Sequence, residues 1–155
     1  MEIKIMDGVN HLDAVKNLII EYTKFLGRDL SFQSIDAELA DLTEKYASPQ
    51  GRLLCAQIDT GEIIGCVAYH RHNSSRCEMK RLFVKENFRH LRAGRLLIEA
   101  IISAAKSDGY SEMVLDTIKL LQGAIHLYKK FGFVEIPAYY NNPMDDVIYM
   151  KLVIQ

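Results

Sequence analysis

Polar and apolar positions alternate along this chain with two periods. Leu12, Val15, Leu18, Ile19, Tyr22, Phe25 and Leu26 recur every three or four residues, which predicts an amphipathic helix over residues 11–26. Residues 2–6 predict a strand before it. A second helical pattern covers residues 35–46, with Ser34 placed to cap it and Asp36 and Glu38 near its start. Residues 27–33 form the loop between these helices, and Pro49-Gln50-Gly51 breaks the chain.

The period then changes to that of strands. Residues 52–58 and 62–72 are joined by Asp59-Thr60-Gly61, a hairpin signal. A third strand, 76–84, follows a turn at Asn73-Ser74-Ser75, so the three predict an antiparallel meander. A strongly apolar helix spans 93–106, with Gly109 just past its end. The strand at 113–117 is expected to run parallel to its predecessor, because a helix crosses between them. Another helix, 122–131, ends at Gly132. Strands at 134–137 and 147–154 flank a polar loop, 139–146. The resulting order, β-α-α-β-β-β-α-β-α-β-β, describes an α/β (α+β) protein with a mixed sheet and helices on both faces.

Composition narrows the functional classes. The 155 residues fit a single domain, 1–155, and the apolar (49%) and charged (25%) shares are those of a soluble globular protein. A net charge of -1 gives no global attraction to nucleic acid or anionic membrane, so neither is expected as a partner. There is no signal-like apolar stretch at the N-terminus and no run near the roughly 20 residues of a membrane span. Cys55, Cys66 and Cys77 lack C-x-x-C spacing, which argues against disulfides or zinc and for a cytoplasmic location. His70 and His72 share a strand face as H-x-H. Without a third ligand they read as surface residues, and no metal is expected.

Chemistry concentrates at residues 77–95, which read as a strand, a basic loop and the first turn of a helix. Six Lys or Arg residues and one acid, Glu86, lie between Lys80 and Arg95. Arg89, Arg92 and Arg95 flank the helix start, where unpaired N–H groups favour an anion. By charge alone this is either a pyrophosphate cradle or a solvated basic helix start.

The element order and two motifs resemble the GNAT superfamily of acetyl-CoA-dependent N-acetyltransferases. The superfamily pattern [QR]-x-x-G-x-[GA] stands here as Arg89-His90-Leu91-Arg92-Ala93-Gly94, preceded by Leu82-Phe83-Val84 and followed by Leu96-Leu97. A-x-x-L-Y-x-x-x-G-F stands as Ala124, Leu127, Tyr128, Gly132 and Phe133. The resemblance implies a GNAT-like, mostly antiparallel central sheet and acetyl-CoA as co-substrate. It implies that Leu82, Phe83 and Val84 pair with the pantetheine arm. The loop that holds the pyrophosphate would be Arg89, His90, Leu91, Arg92, Ala93, Gly94 and Arg95. Tyr128 matches the tyrosine that commonly protonates the departing thiolate, and Glu78 the position where some branches keep a general base. Homodimers are common among similar proteins, although no seam is legible here. Two positions depart from the pattern: Arg92 replaces the first motif glycine, and Leu121 stands where many members carry a cofactor-contacting asparagine.

These residue types suit amine acetylation. An alkylamine of pKa about 10.4 is free base in only about one molecule in 2,500 at pH 7, so a proton must leave before attack. A positioned carboxylate contributes roughly 10²–10⁴-fold, a tyrosine can protonate the thiolate, and a splayed strand offers N–H donors to the oxyanion, with Val84 the candidate. Each assignment has a plainer alternative. Tyr128 lies on an apolar helix face and, without the motif, reads as core; the motif favours catalysis. Glu78 is a base, a ligand for a cationic substrate, or an exposed strand residue. Asp116 rivals it, or caps the next helix with Thr117. The resemblance implies that the acceptor lies among the first helix–helix loop, the central strands and the last β-β loop, which makes Phe32, Gln33, Tyr139, Tyr140 and Asn142 the candidate acceptor-binding residues, the last three alternatively an ordinary hairpin loop. The expected function is N-acetyltransfer to a primary amine of a small molecule or peptide. The alternative is a non-catalytic acyl-CoA-binding or sensing module of the same fold.

Overall fold

Residues 2–28 and 34–154 are described in the computed structural model. Phe32 and Gln33 lie outside the described residues. The strands are β1 (Ile3–Asp7), β2 (Gly51–Ile58), β3 (Ile63–Arg71), β4 (Arg76–Val84), β5 (Glu112–Ile118), β6 (Val134–Ile136) and β7 (Val147–Val153). The helices are α1 (Leu12–Leu26), α2 (Ile35–Ala40), α3 (Leu42–Tyr46), α4 (Ala93–Ser107) and α5 (Gln122–Lys130), with 3-10 turns at Gly8–His11 and Glu86–Leu91. All seven strands join one sheet in the order β1-β2-β3-β4-β5-β7-β6. Neighbours run antiparallel except β4 and β5, which are parallel across the α4 crossover.

The apolar run of β3 is buried on both faces because helices cover both. Ile64, Val67 and Tyr69 pack with Leu97, Ile98 and Ile101 of α4. Ile63, Cys66 and Ala68 face the opposite core, with Val15, Leu18 and Ile19 of α1. Burying each such aliphatic side chain contributes about 1.5–3 kcal/mol. The three cysteines are free and buried, and burial pushes the Cys66 thiol up to about 12.

The helix predicted over residues 35–46 is two helices. Asp41 adopts extended backbone (φ -151°, ψ 90°), and its carboxylate accepts from the Thr43 N–H at 3.2 Å, so it caps α3. Ser34 does not cap α2: it is left-handed (φ 57°) and its side chain makes no cap hydrogen bond.

One irregularity shapes the site. Cys66 pairs with Phe83 and Ala68 with Lys80, so β4 carries one more residue than β3 over this stretch. The extra residue is a β-bulge at Arg81, whose φ is +61°. A bulge bends its strand and increases its twist. β4 accordingly pairs with β5 only at Arg76, Cys77 and Glu78, opposite Glu112, Met113 and Val114. Past Glu78 the two strands part, while β5 stays paired with β7 along its length.

Candidate active site

The opening between β4 and β5 is where the candidate residues gather. Lys85 N–H donates to Ile64 O at 2.8 Å. Alternation along the strand therefore turns the Leu82 and Val84 amides away from β3, toward the opening. The Val84 carbonyl is occupied by Arg89 Nε at 3.1 Å. The Arg89 guanidinium lies over the Phe25 ring, 4.7 Å from its centroid, and so fastens the end of β4 to α1.

The helix start explains the departure at Arg92. Its backbone is left-handed (φ 63°, ψ 22°), the conformation glycine adopts freely and other residues adopt at a cost of about 1–2 kcal/mol. No side chain caps α4, and Leu96 N–H bonds back to Arg92 O at 3.2 Å. The first-turn amides of Ala93, Gly94 and Arg95 thus face an end of the helix that suits an anion, beside the exposed side chains of His90, Arg92 and Arg95. Leu91 packs against the α4 core and Ala93 is buried, so these two shape the turn from beneath. A Cβ added at Gly94 would lie 3.8 Å from Leu127 Cδ2 and 4.0 Å from Val84 Cγ2, ordinary contacts. Protein packing alone does not require glycine there.

A cavity of about 80 Å³ occupies the opening, lined by Tyr22, Lys80, Leu82, Asp116, Leu121 and Tyr128 among others. Tyr128, on α5, is 7% exposed with its ring 5.7 Å from Phe133, and burial pushes its phenol well above the ordinary value. Leu121, at the N-cap of α5, presents an apolar side chain to the same cavity. Leu26 and Met144 also line it, and a bidentate pair of Arg28 with Asp146 (2.6 and 2.7 Å) ties the end of α1 to the β6–β7 loop.

Beside it lies a polar cluster. Glu78 is buried, which removes the exposed-strand alternative. Its Oε1 is 2.7 Å from His70 Nε2, and its other oxygen accepts from the Tyr139 hydroxyl. Asp116 accepts from the Tyr140 hydroxyl and, at 3.4 Å, from Asn142 Nδ2, which also bonds the Tyr140 oxygen at 2.7 Å. Lys80 Nζ sits between the carboxylates, 4.0 Å from Glu78 and 3.8 Å from Asp116, with 9% of its side chain exposed. Burial pushes the Glu78 carboxyl up, but His70, Lys80 and Tyr139 together outweigh it and hold it down at about 2. Burial and the neighbouring carboxylates raise both Tyr139 and Tyr140.

Asp116 is a β5 residue and caps no helix; Leu121 occupies the N-cap of α5. His70 is not a bare surface residue, since it is held against Glu78, and His72 stacks edge-on to Tyr139 at 5.5 Å. Lys80, Tyr22 and the Glu38–Arg81 pair behind the bulge were not singled out from the sequence. The signal for Lys80 was strand alternation, which puts it on the face of Glu78; Tyr22 had none beyond its helical spacing.

The sequence matches the model of the Acetyltransferase (GNAT) family over residues 14–133. A Schizosaccharomyces pombe protein named an uncharacterized N-acetyltransferase is 46% identical over 91% of this chain and 87% of its own. The structure of a GNAT-family acetyltransferase from Staphylococcus aureus Mu50 superposes with a TM-score of 0.83 at 20% identity, covering 99% of this chain and 100% of that one. A GNAT-family acetyltransferase from Elizabethkingia anophelis, solved with acetyl-CoA bound, matches with a TM-score of 0.59 at 25% identity over 73% of this chain and 82% of that one.

Proposed function

This chain belongs to the GNAT acetyltransferase family, and we propose that it transfers an acetyl group from acetyl-CoA to a primary amine of a small molecule or peptide by direct attack. The observation that carries this reading is the parting of β4 from β5 after Glu78, with the Leu82 and Val84 amides turned into the gap and an uncapped helix start beyond it. The residues present fit the co-substrate. The first-turn amides of α4 with His90, Arg92 and Arg95 would hold its pyrophosphate, and the space above Gly94 lets phosphate approach backbone. The β4 edge would take the pantetheine arm in place of a strand, and acetyl-CoA supplies the activated acetyl.

The transfer balances simply. The amine nitrogen forms a bond to the acetyl carbon, the carbon–sulfur bond breaks, and the nitrogen loses one proton. The Leu82 or Val84 amide would stabilise the oxyanion. Tyr128, kept protonated by burial, would hand its proton to the leaving thiolate and recover one from solvent. Glu78, held near 2, is a weak proton acceptor; its buried charge instead attracts and orients the amine and favours the ammonium that forms on attack. Asp116 is the alternative acceptor of the proton, directly or through water.

Acetyl-CoA binding by calorimetry, followed by thiol release with a panel of amines, amino acids, aminoglycosides and peptides, tests this. Absence of binding sinks the reading. Binding without any acceptor turnover would leave the sensing module.

A further inference from the structure

Two cavities meet at Lys80, and the second has a charge pattern of its own. It measures about 200 Å³ and is lined by Lys45, His70, His72, Glu78, Lys80, Tyr139 and Tyr140. That is below the roughly 300–1,000 Å³ of pockets for drug-sized ligands, so it suits a small acceptor.

Glu78 and Lys80 are its most deeply buried charges, with 7% and 9% of their side chains exposed, and Lys45 lies nearer solvent. The Glu78 carboxylate is bridged by Lys80 to Asp116. The Lys45 side chain is 30% exposed, with Nζ 3.3 Å from Glu38 Oε1. Glu38, however, is already taken in a bidentate grip by Arg81, at 2.7 and 3.0 Å. One carboxylate therefore serves two cations, and the Lys45 charge is only partly neutralised. Burial lowers Lys45, Glu38 pulls the other way, and the Lys80 and Arg81 charges lower it further. His72 is lowered chiefly by burial, which favours the neutral ring, so it offers an N–H donor to a ligand. The Tyr139 and Tyr140 hydroxyls already donate to Glu78 and Asp116, so the N–H groups of Lys45 and His72 remain as donors to a ligand.

We propose that the acceptor is a small amine that also carries a carboxylate, as an amino acid does, with its amine over the Glu78 carboxylate and its carboxylate against Lys45 and His72. The inference rests on the transferase reading above and narrows its substrate class.

The test compares each acceptor with its decarboxylated form: lysine with cadaverine, and phenylalanine with phenethylamine. Thiol release with acetyl-CoA is followed at pH 7.5 and rates are expressed per free-base amine. The acid-bearing member of each pair is expected to show kcat/KM at least about tenfold higher, carried by KM, as one charge-assisted contact provides. Lys45→Gln should abolish the preference and Lys45→Arg should keep it. Equal or faster reaction of the decarboxylated amines, or a preference that survives Lys45→Gln, overturns the inference while the transferase reading stands. Acetyl-CoA binding with no turnover of either member overturns the inference, and the transferase reading falls with it only if the wider panel above is also unreactive.

Discussion

Arg81 and Glu38 form a bidentate pair behind the bulge of β4, Nε to Oε2 at 2.7 Å, with 4% and 2% of their side chains exposed. The residue at the bulge is thereby fastened to α2, and its left-handed backbone is held from the side chain. Removing one partner of a buried pair is strongly destabilising, so Glu38→Ala should cost about 3–5 kcal/mol. Urea unfolding measures this directly. Because the bulge sets where β4 leaves β5, any folded variant should also lose turnover. A midpoint equal to that of the wild type would show that the pair does not pin the bulge.

Glu78 predicts a pH signature. Its folded-state value of about 2 lies below the ordinary 4.5. A depressed carboxyl contributes stability that is fully present above its unfolded value and lost as pH falls through the folded one. The window is therefore about pH 4.5 down to 2, and the contribution is on the order of 3 kcal/mol. Between pH 4.5 and 3 the wild type should lose more stability in urea titrations than Glu78→Gln does. Over pH 6–9 Glu78 stays ionised, so the acid limb of kcat/KM should belong to the amine and remain in place in Glu78→Gln while kcat falls. A limb that disappears in that variant would restore Glu78 as the titrating base.

Tyr128→Phe removes one hydroxyl from the cleft and little volume. Turnover should drop about 100-fold, within the usual contribution of a positioned acid. Calorimetric affinity for acetyl-CoA should stay within about twofold, given the modest net value of a single hydrogen bond. Undiminished turnover would return Tyr128 to the core role its 7% exposure also allows.

Positions 92 and 94 should separate stability from binding. Arg92→Gly relieves a left-handed arginine and is expected to stabilise the free protein by about 1 kcal/mol. Gly94→Ala adds a methyl at ordinary contact distance inside a helix and should also stabilise, by about 1 kcal/mol. If Gly94 is kept bare for phosphate, Gly94→Ala should weaken acetyl-CoA binding about tenfold even as thermal melting rises. Parallel changes in both measurements would contradict that role.

The sequence showed the architecture well because long apolar periods dominate it. α1 and α4 each carry an uninterrupted stripe, and β2, β3 and β4 are separated by turn residues. The break at Asp41 is hidden within the 35–46 pattern because its polarity suits a helix surface as well as an N-cap, and only tertiary packing chooses. Motif matching located Tyr128 and the start of α4. It could not show that His70, Lys80, Tyr139 and Tyr140 would converge on two carboxylates, since these lie on separate strands and a loop brought together by the sheet order. Arg92 looked like a flaw in the motif; its φ shows that the turn kept its shape and the side chain changed.

Lys80 is the one residue common to the cleft cavity and the acceptor cavity. The two reactants would therefore sit side by side with neither blocking the other's seat. Both can be aboard together, and nothing need depart midway through a cycle. Steady-state plots with both concentrations varied should accordingly intersect, and CoA should inhibit competitively against acetyl-CoA but not against the amine.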